Sequence, residues 1–312
     1  MTRTRSGNFQ PHRVRIASFV AACLAAAMLP LAQASADTLD RVKQAGKLTL
    51  GYRTDARPFS FQDESGKPAG YSIDLCQKIA DEVKAEVGVP TLAVEWAPVT
   101  AEDRFKAVQG GKIDLLCGAD TATLERRKEV DFSISIFSSG IGALLRADAP
   151  AGLREVLSGA PASSPLWRGS PARVLDKKTF SVIKGTTSEN WLAGRMEKFQ
   201  ITASVAPVEG YDAGIQDVLD RKADVFFGDR PILLEAAARS PSASYLVVLD
   251  RFFTVEPLAL TLARGDEGLR LVVDRALSKL YRSDDFHDLY TKWFGEPDET
   301  ALTFFRLTAL PD

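Results

Sequence analysis

The sequence predicts an α/β protein on three observations. Strand-like and helix-like stretches alternate along the chain; residues 72–87 place Cys76, Ile79, Ala80, Val83 and Val87 on one helical face; and residues 47–118 read in order as a β-α-β-α-β unit.

The unit opens with "KLTLGYR" (47–53) as a strand, followed by the turn-rich "DESGKPAG" and the helix of 72–87. "LAVEWAPV" is the next strand, and Thr100 with Asp103 has the spacing of a capping box ahead of the helix "AEDRFKAVQ", which Gly110 and Gly111 stop. "KIDLLCG" is a short buried strand. Further on, "DFSISIF" and "SGIGALLRA" read as strands, and the Ala-, Ser-, Gly- and Pro-rich stretch 150–171 reads as a loop or insertion. A strand, a Gly-Thr-Thr-Ser turn and a helix follow in 178–199, with Thr186 and Glu189 at capping-box spacing. Residues 210–239 predict helix, strand and helix, Pro231 suiting a first helical turn. "EPLALTLAR" and amphipathic helices at 267–294 complete the chain.

The N-terminus stands apart. Arg3, Arg5, Arg13 and Arg15 precede the apolar run "IASFVAACLAAAMLPLA", and Ala34-Ser35-Ala36 supplies the small residues a signal peptidase requires. At about 17 residues the run is short for a bilayer span. Cleavage after Ala36 and export to the periplasm are therefore expected, leaving Cys76 and Cys117 in a compartment that permits disulfides. A disulfide and two buried thiols are both compatible with these positions. The formal charge of −2 gives no general push toward nucleic acid. The mature chain has a single histidine, His287, on an amphipathic helix, and no CxxC, so no metal site or cofactor is expected.

Chemistry concentrates at "CGADTATLERR" (117–127), where a strand end runs into threonines at which a helix would begin. Unpaired N–H groups there, with a helix dipole behind them and Arg126 reaching back toward Thr121, would hold a carboxylate. The same spacing also describes a capped surface helix with solvated arginines.

Beyond local geometry, the ordered set "GYRTDARPFSFQDESGKPAGYSIDLCQKIADEV", "DLLCGADTATLERRKEVDFS", "KGTTSENWL", "RKADVFFGDR" and "DDFHDLYTKWFG" resembles the amino-acid class of periplasmic solute-binding proteins that serve ABC importers, above all the glutamate/aspartate binders. The resemblance weakens only at 150–171. It implies the type II periplasmic-binding-protein fold: lobe one at 37–142 plus 260–312, lobe two at 143–259, and two crossing hinge strands near 139–147 and 256–264. It also implies an amino-acid ligand between the lobes, an ABC permease as partner, and a monomer.

Carried over residue by residue, the resemblance gives Arg126 the ligand α-carboxylate, assisted by Thr121 and by Thr186 from lobe two. Asp229 takes the α-ammonium with the carbonyl of Ala119. Arg53 and Arg104 match arginines of the acidic-ligand binders and imply a polar, acidic ligand. Ala119 and Asp120 stand where those binders have serine and threonine, and Tyr211 or a neighbour stands where they have histidine. Asp120 could neutralise one arginine, which leaves glutamine or asparagine open. The chain is read as a binding protein and not an enzyme. The alternative from another class is a cyclohexadienyl or arogenate dehydratase on the same fold, which would need a cleft acid such as Glu209 or Asp120.

Overall fold

The computed structural model describes residues 37–159 and 171–311, with a few isolated positions before 37. The expected signal peptide at 1–36 and the middle of the 150–171 insertion lie outside the described residues.

Helix α1 (Thr38–Ala45) leads into β1 (Lys47–Arg53) and three short strands, β2 (Asp55–Ala56), β3 (Ser60–Gln62) and β4 (Pro68–Ala69), which pair with one another. Then come α2 (Tyr71–Val87), β5 (Ala93–Val99), α3 (Arg104–Gln109), β6 (Leu115–Thr121) and β7 (Val130–Ser139). After Gly140 the chain enters a second group: β8 (Ile141–Arg146), α4 (Ala151–Ser158), β9 (Thr179–Ile183), α5 (Thr187–Phe199), β10 (Ser204–Val208), α6 (Tyr211–Leu219), β11 (Val225–Asp229), α7 (Arg230–Arg239) and β12 (Leu246–Val248). It returns through β13 (Glu256–Ala263) to α8 (Glu267–Tyr281), α9 (Asp284–Phe294) and α10 (Glu299–Thr308).

Two five-stranded sheets result, ordered β5-β1-β6-β13-β7 and β10-β9-β11-β8-β12. In the first, β1 runs parallel to β5 and β6, so Arg53, Val99 and Thr121 end on one edge. In the second, β9 runs parallel to β10 and β11, which brings Ile183, Val208 and Asp229 to one edge. Ligands of open α/β sheets sit at such carboxyl ends, so each sheet delivers its chemistry to a single rim.

Burial explains the layers. Leu75, Ile79 and Val83 of α2 share a core with Leu269, Val273 and Leu277 of α8, while Ile141, Ala143 and Leu145 of β8 pack with Phe180, Val182, Val225 and Phe227 in the second sheet. Cys76 of α2 and Cys117 of β6 form a disulfide with Cα atoms 6.1 Å apart. At the crossing, Gly140 lies against the returning chain: a Cβ there would stand 2.0 Å from the Thr254 carbonyl oxygen. A side chain cannot enter without separating the two hinge segments.

Two expectations need correction. Residues 151–158 are not loop but helix α4, whose Leu153 and Leu157, one turn apart, are buried in the second core. Within the expected hinge segments, β8 pairs in the second sheet from Ile141 and β13 pairs in the first from Glu256. Thr121 starts no helix. It ends β6, and only the single turn Arg126–Lys128 forms before β7 claims the chain at Val130. Thr123 caps that turn, its hydroxyl accepting from the Arg126 N–H at 3.1 Å. So short a turn carries no useful dipole, so no helix-terminus field adds to anion recognition here.

Candidate functional site

The facing rims line a polar cavity of about 50 Å³. Arg53, Arg104, Ala119, Asp120, Thr121 and Arg126 line it from the first sheet, and Thr186, Tyr211 and Asp229 from the second. All the residues singled out as ligand-binding in the sequence therefore meet in one place. Glu209 is exposed and absent from the lining.

Arg126 follows β6 by a short loop, and its Nη1 donates to the Thr121 carbonyl oxygen at 2.9 Å. The guanidinium lies 5.0 Å from the Phe105 ring centroid, with Arg104 at 4.2 Å from the same ring. Burial, and then the neighbouring Arg104 charge, hold its pKa down at about 10, so it remains cationic at neutral pH. Among the described residues it forms no ion pair.

Opposite it, Asp229 ends β11 beside α7. Its Oδ2 accepts from the Ser139 hydroxyl at 2.8 Å, and its Oδ1 is buried with no hydrogen-bond partner among the described residues. Burial pushes the carboxyl up to about 7; the Ser139 hydrogen bond opposes this and the Glu256 carboxylate adds to it. An unpaired buried acceptor is costly, and a donor entering the cavity would relieve it.

The other two arginines are already engaged. Arg53 Nε and Nη2 donate to Asp55 Oδ1 at 2.9 and 2.6 Å. Arg104 Nε donates to Asp120 Oδ1 at 2.5 Å, with both side chains buried, and its two Nη atoms approach only the Gly185 carbonyl oxygen across the cleft, at 3.5 and 3.4 Å.

Thr186 lines the cavity, yet its hydroxyl donates to the Ile183 carbonyl at 2.6 Å, so the side-chain donor expected for a ligand carboxylate is spent. The capping box expected there does not form: Glu189 accepts from the N–H of Gly185, one residue before the cap, at 2.9 Å, and Thr186 makes no side-chain cap. Thr187 instead donates to Glu256 Oε2 at 3.0 Å.

Glu256 was not singled out in the sequence. Buried at the start of β13, it also accepts from Thr121 at 2.5 Å and from Thr254 at 2.8 Å, gathering hydroxyls from both sheets. A glutamate before proline at a strand start carries no local sign of such a role. Only the return of β13 past β6 places it in the cleft.

Fold and site together define a two-lobed α/β binding protein with a charged interlobe cleft. The chain belongs to the bacterial extracellular solute-binding proteins, family 3, whose model matches residues 48–296. It is 30% identical over 281 residues to the L-glutamate/L-aspartate-binding protein of Pseudomonas aeruginosa, covering 90% of this chain and 86% of that one. It is 26% identical to the ABC transporter glutamine-binding protein of Bacillus subtilis, covering 83% of this chain and 85% of that one. Among solved structures, the ancestral amino acid-binding protein AncCDT-1, a precursor of cyclohexadienyl dehydratase, superposes with a TM-score of 0.66 at 29% identity, covering 83% of this chain and all of that one. These named relatives are binding proteins.

Proposed function

We propose that the protein captures a single polar α-amino acid between its lobes and delivers it to the membrane permease of an ABC importer. Arg126 holds the α-carboxylate. Asp229, with the carbonyl of Ala119, holds the α-ammonium. One observation carries this reading: a cation with no ion pair and a carboxylate with a buried, unpaired oxygen, both judged among the described residues, line one small cavity from opposite lobes. A zwitterion satisfies both at once, and touching both rims it favours the closed arrangement over the open one. The ligands named for the relatives support the class. In this reading the chain is exported as a monomer after cleavage behind Ala36, which intact-mass measurement of the periplasmic protein tests directly.

The decisive experiment is a thermal-shift screen of the purified protein against the common amino acids. A ligand bound only by the folded state raises Tm as its concentration exceeds Kd, by about 2.7 kcal/mol of stability at 100 Kd. If none of them shifts Tm, the reading fails.

A second reading draws on the likeness to the dehydratase precursor and on Asp229, whose carboxyl near 7 suits proton transfer. It predicts turnover of prephenate or arogenate, and an enzyme assay showing none removes it.

A further inference from the structure

Besides Arg126, two further arginines line the cavity, and neither is free. Arg53 and Arg104 each have a carboxylate from the same lobe, Asp55 and Asp120, in direct contact. Each of these pairs carries no net charge. A ligand side-chain carboxylate placed against Arg104 would leave water to lie beside Asp120 as well as the arginine, and a buried charge is compensated only where its partner is available. A ligand ammonium or guanidinium would face two fixed guanidinium groups.

What the Arg104–Asp120 pair lacks is hydrogen-bond partners. Asp120 lines the cavity with its Oδ2 buried and without a donor. Gly118, two residues earlier on β6, leaves the space this oxygen occupies, since a Cβ there would stand 2.8 Å from it. Arg104 in turn presents Nη donors that reach only a carbonyl oxygen at long range. The complement is a group with both N–H and C=O and no charge, which is a carboxamide.

Resting on the amino-acid reading above, we propose that the ligand is a zwitterionic amino acid with a neutral carboxamide side chain, and that Asp55 and Asp120 impose this choice by engaging the arginines. The device selects by removing an attraction rather than adding one, because a free pair of arginines would favour a carboxylate.

Isothermal titration of the purified protein with L-glutamine, L-asparagine, L-glutamate, L-aspartate and L-arginine tests this. The amides should bind at least about tenfold more tightly than their acids, and arginine more weakly than either amide. The variants Asp55→Asn and Asp120→Asn, singly and combined, keep the side-chain shape and release the guanidinium groups. They should move the glutamate-to-glutamine preference toward glutamate by about tenfold or more. Tighter binding of an acid or of arginine by the unmodified protein overturns the proposal whether or not the variants fold, and so does an unchanged ratio in the folded variants. Binding of no amino acid at all would instead sink the amino-acid reading itself.

Discussion

Arg126 and Asp229 carry opposite charges for different ends of one ligand, and their environments make separate predictions. Arg126→Ala should abolish amino-acid binding in calorimetry with little change in Tm, because the side chain is half-buried and forms no ion pair among the described residues. Asp229 should make binding depend on pH. Its carboxyl near 7 in the folded, unliganded protein compares with about 3.9 when unfolded, so the folded state keeps a proton that the unfolded state releases. Stability contributed by this group is therefore highest below about pH 4 and falls as pH rises to about 7. Ligand affinity runs the other way, rising toward pH 7, because the ammonium requires the carboxylate. Calorimetry near pH 6.5 in buffers of different ionisation enthalpy should register proton release on binding, and Asp229→Asn should remove both that release and the falling limb of stability. Arg104 behaves differently. Arg104→Met would leave Asp120 buried without its cation, a loss of about 3–5 kcal/mol of stability, so it perturbs the fold before it reports on the ligand.

At the scale of elements, the disulfide ties α2 to β6 next to the loop that presents Arg126. The bridge closes a separation of 41 residues, for which the chain-entropy model gives roughly 4 kcal/mol. Cys76→Ser with Cys117→Ser should lower the urea midpoint by a corresponding amount, and an unchanged midpoint would show that the bridge is thermodynamically idle. Most elements were legible before the structure because their signals are local. The one-face spacing of 72–87 gave α2, and the alternating apolar residues near 130–139 gave β7. Helix α4 was not, because its composition resembles a loop and only docking of Leu153 and Leu157 on the second sheet selects the helix. The turn at 126–128 failed the opposite way: threonine and arginine spacing announced a helix, and the strand behind it left no room.

For the molecule as a whole, the question is what holds the lobes together across the cleft. Lys184 and Glu102 pair at 3.1 Å, but both are exposed, and such pairs contribute about 0–1 kcal/mol. Glu256 gathers hydroxyls from Thr121 and Thr187 in opposite lobes while buried, and hydrogen bonds to a charged group contribute about 1.5–3 kcal/mol each. Lys184→Ala should therefore leave the closed form intact, whereas Glu256→Ala should destabilise the unliganded protein and shift small-angle scattering toward a more open particle. Equal effects of the two substitutions would refute this ranking.

Read alone, the sequence determined the α/β class, the family, and nine of the residues that line the cleft, because strand ends and helix periods are short-range signals and the family pattern runs through the chain in order. It also raised the possibility that Asp120 neutralises an arginine. Tertiary structure alone decided which charges remain available to a ligand. Asp120 reaches Arg104, Asp55 takes Arg53, and Glu256 arrives from a strand 135 residues beyond Thr121. Residue type gives a side chain its charge, but which partner that charge meets depends on distances of a few ångströms between strands remote in the chain, where Coulomb and desolvation energies are largest.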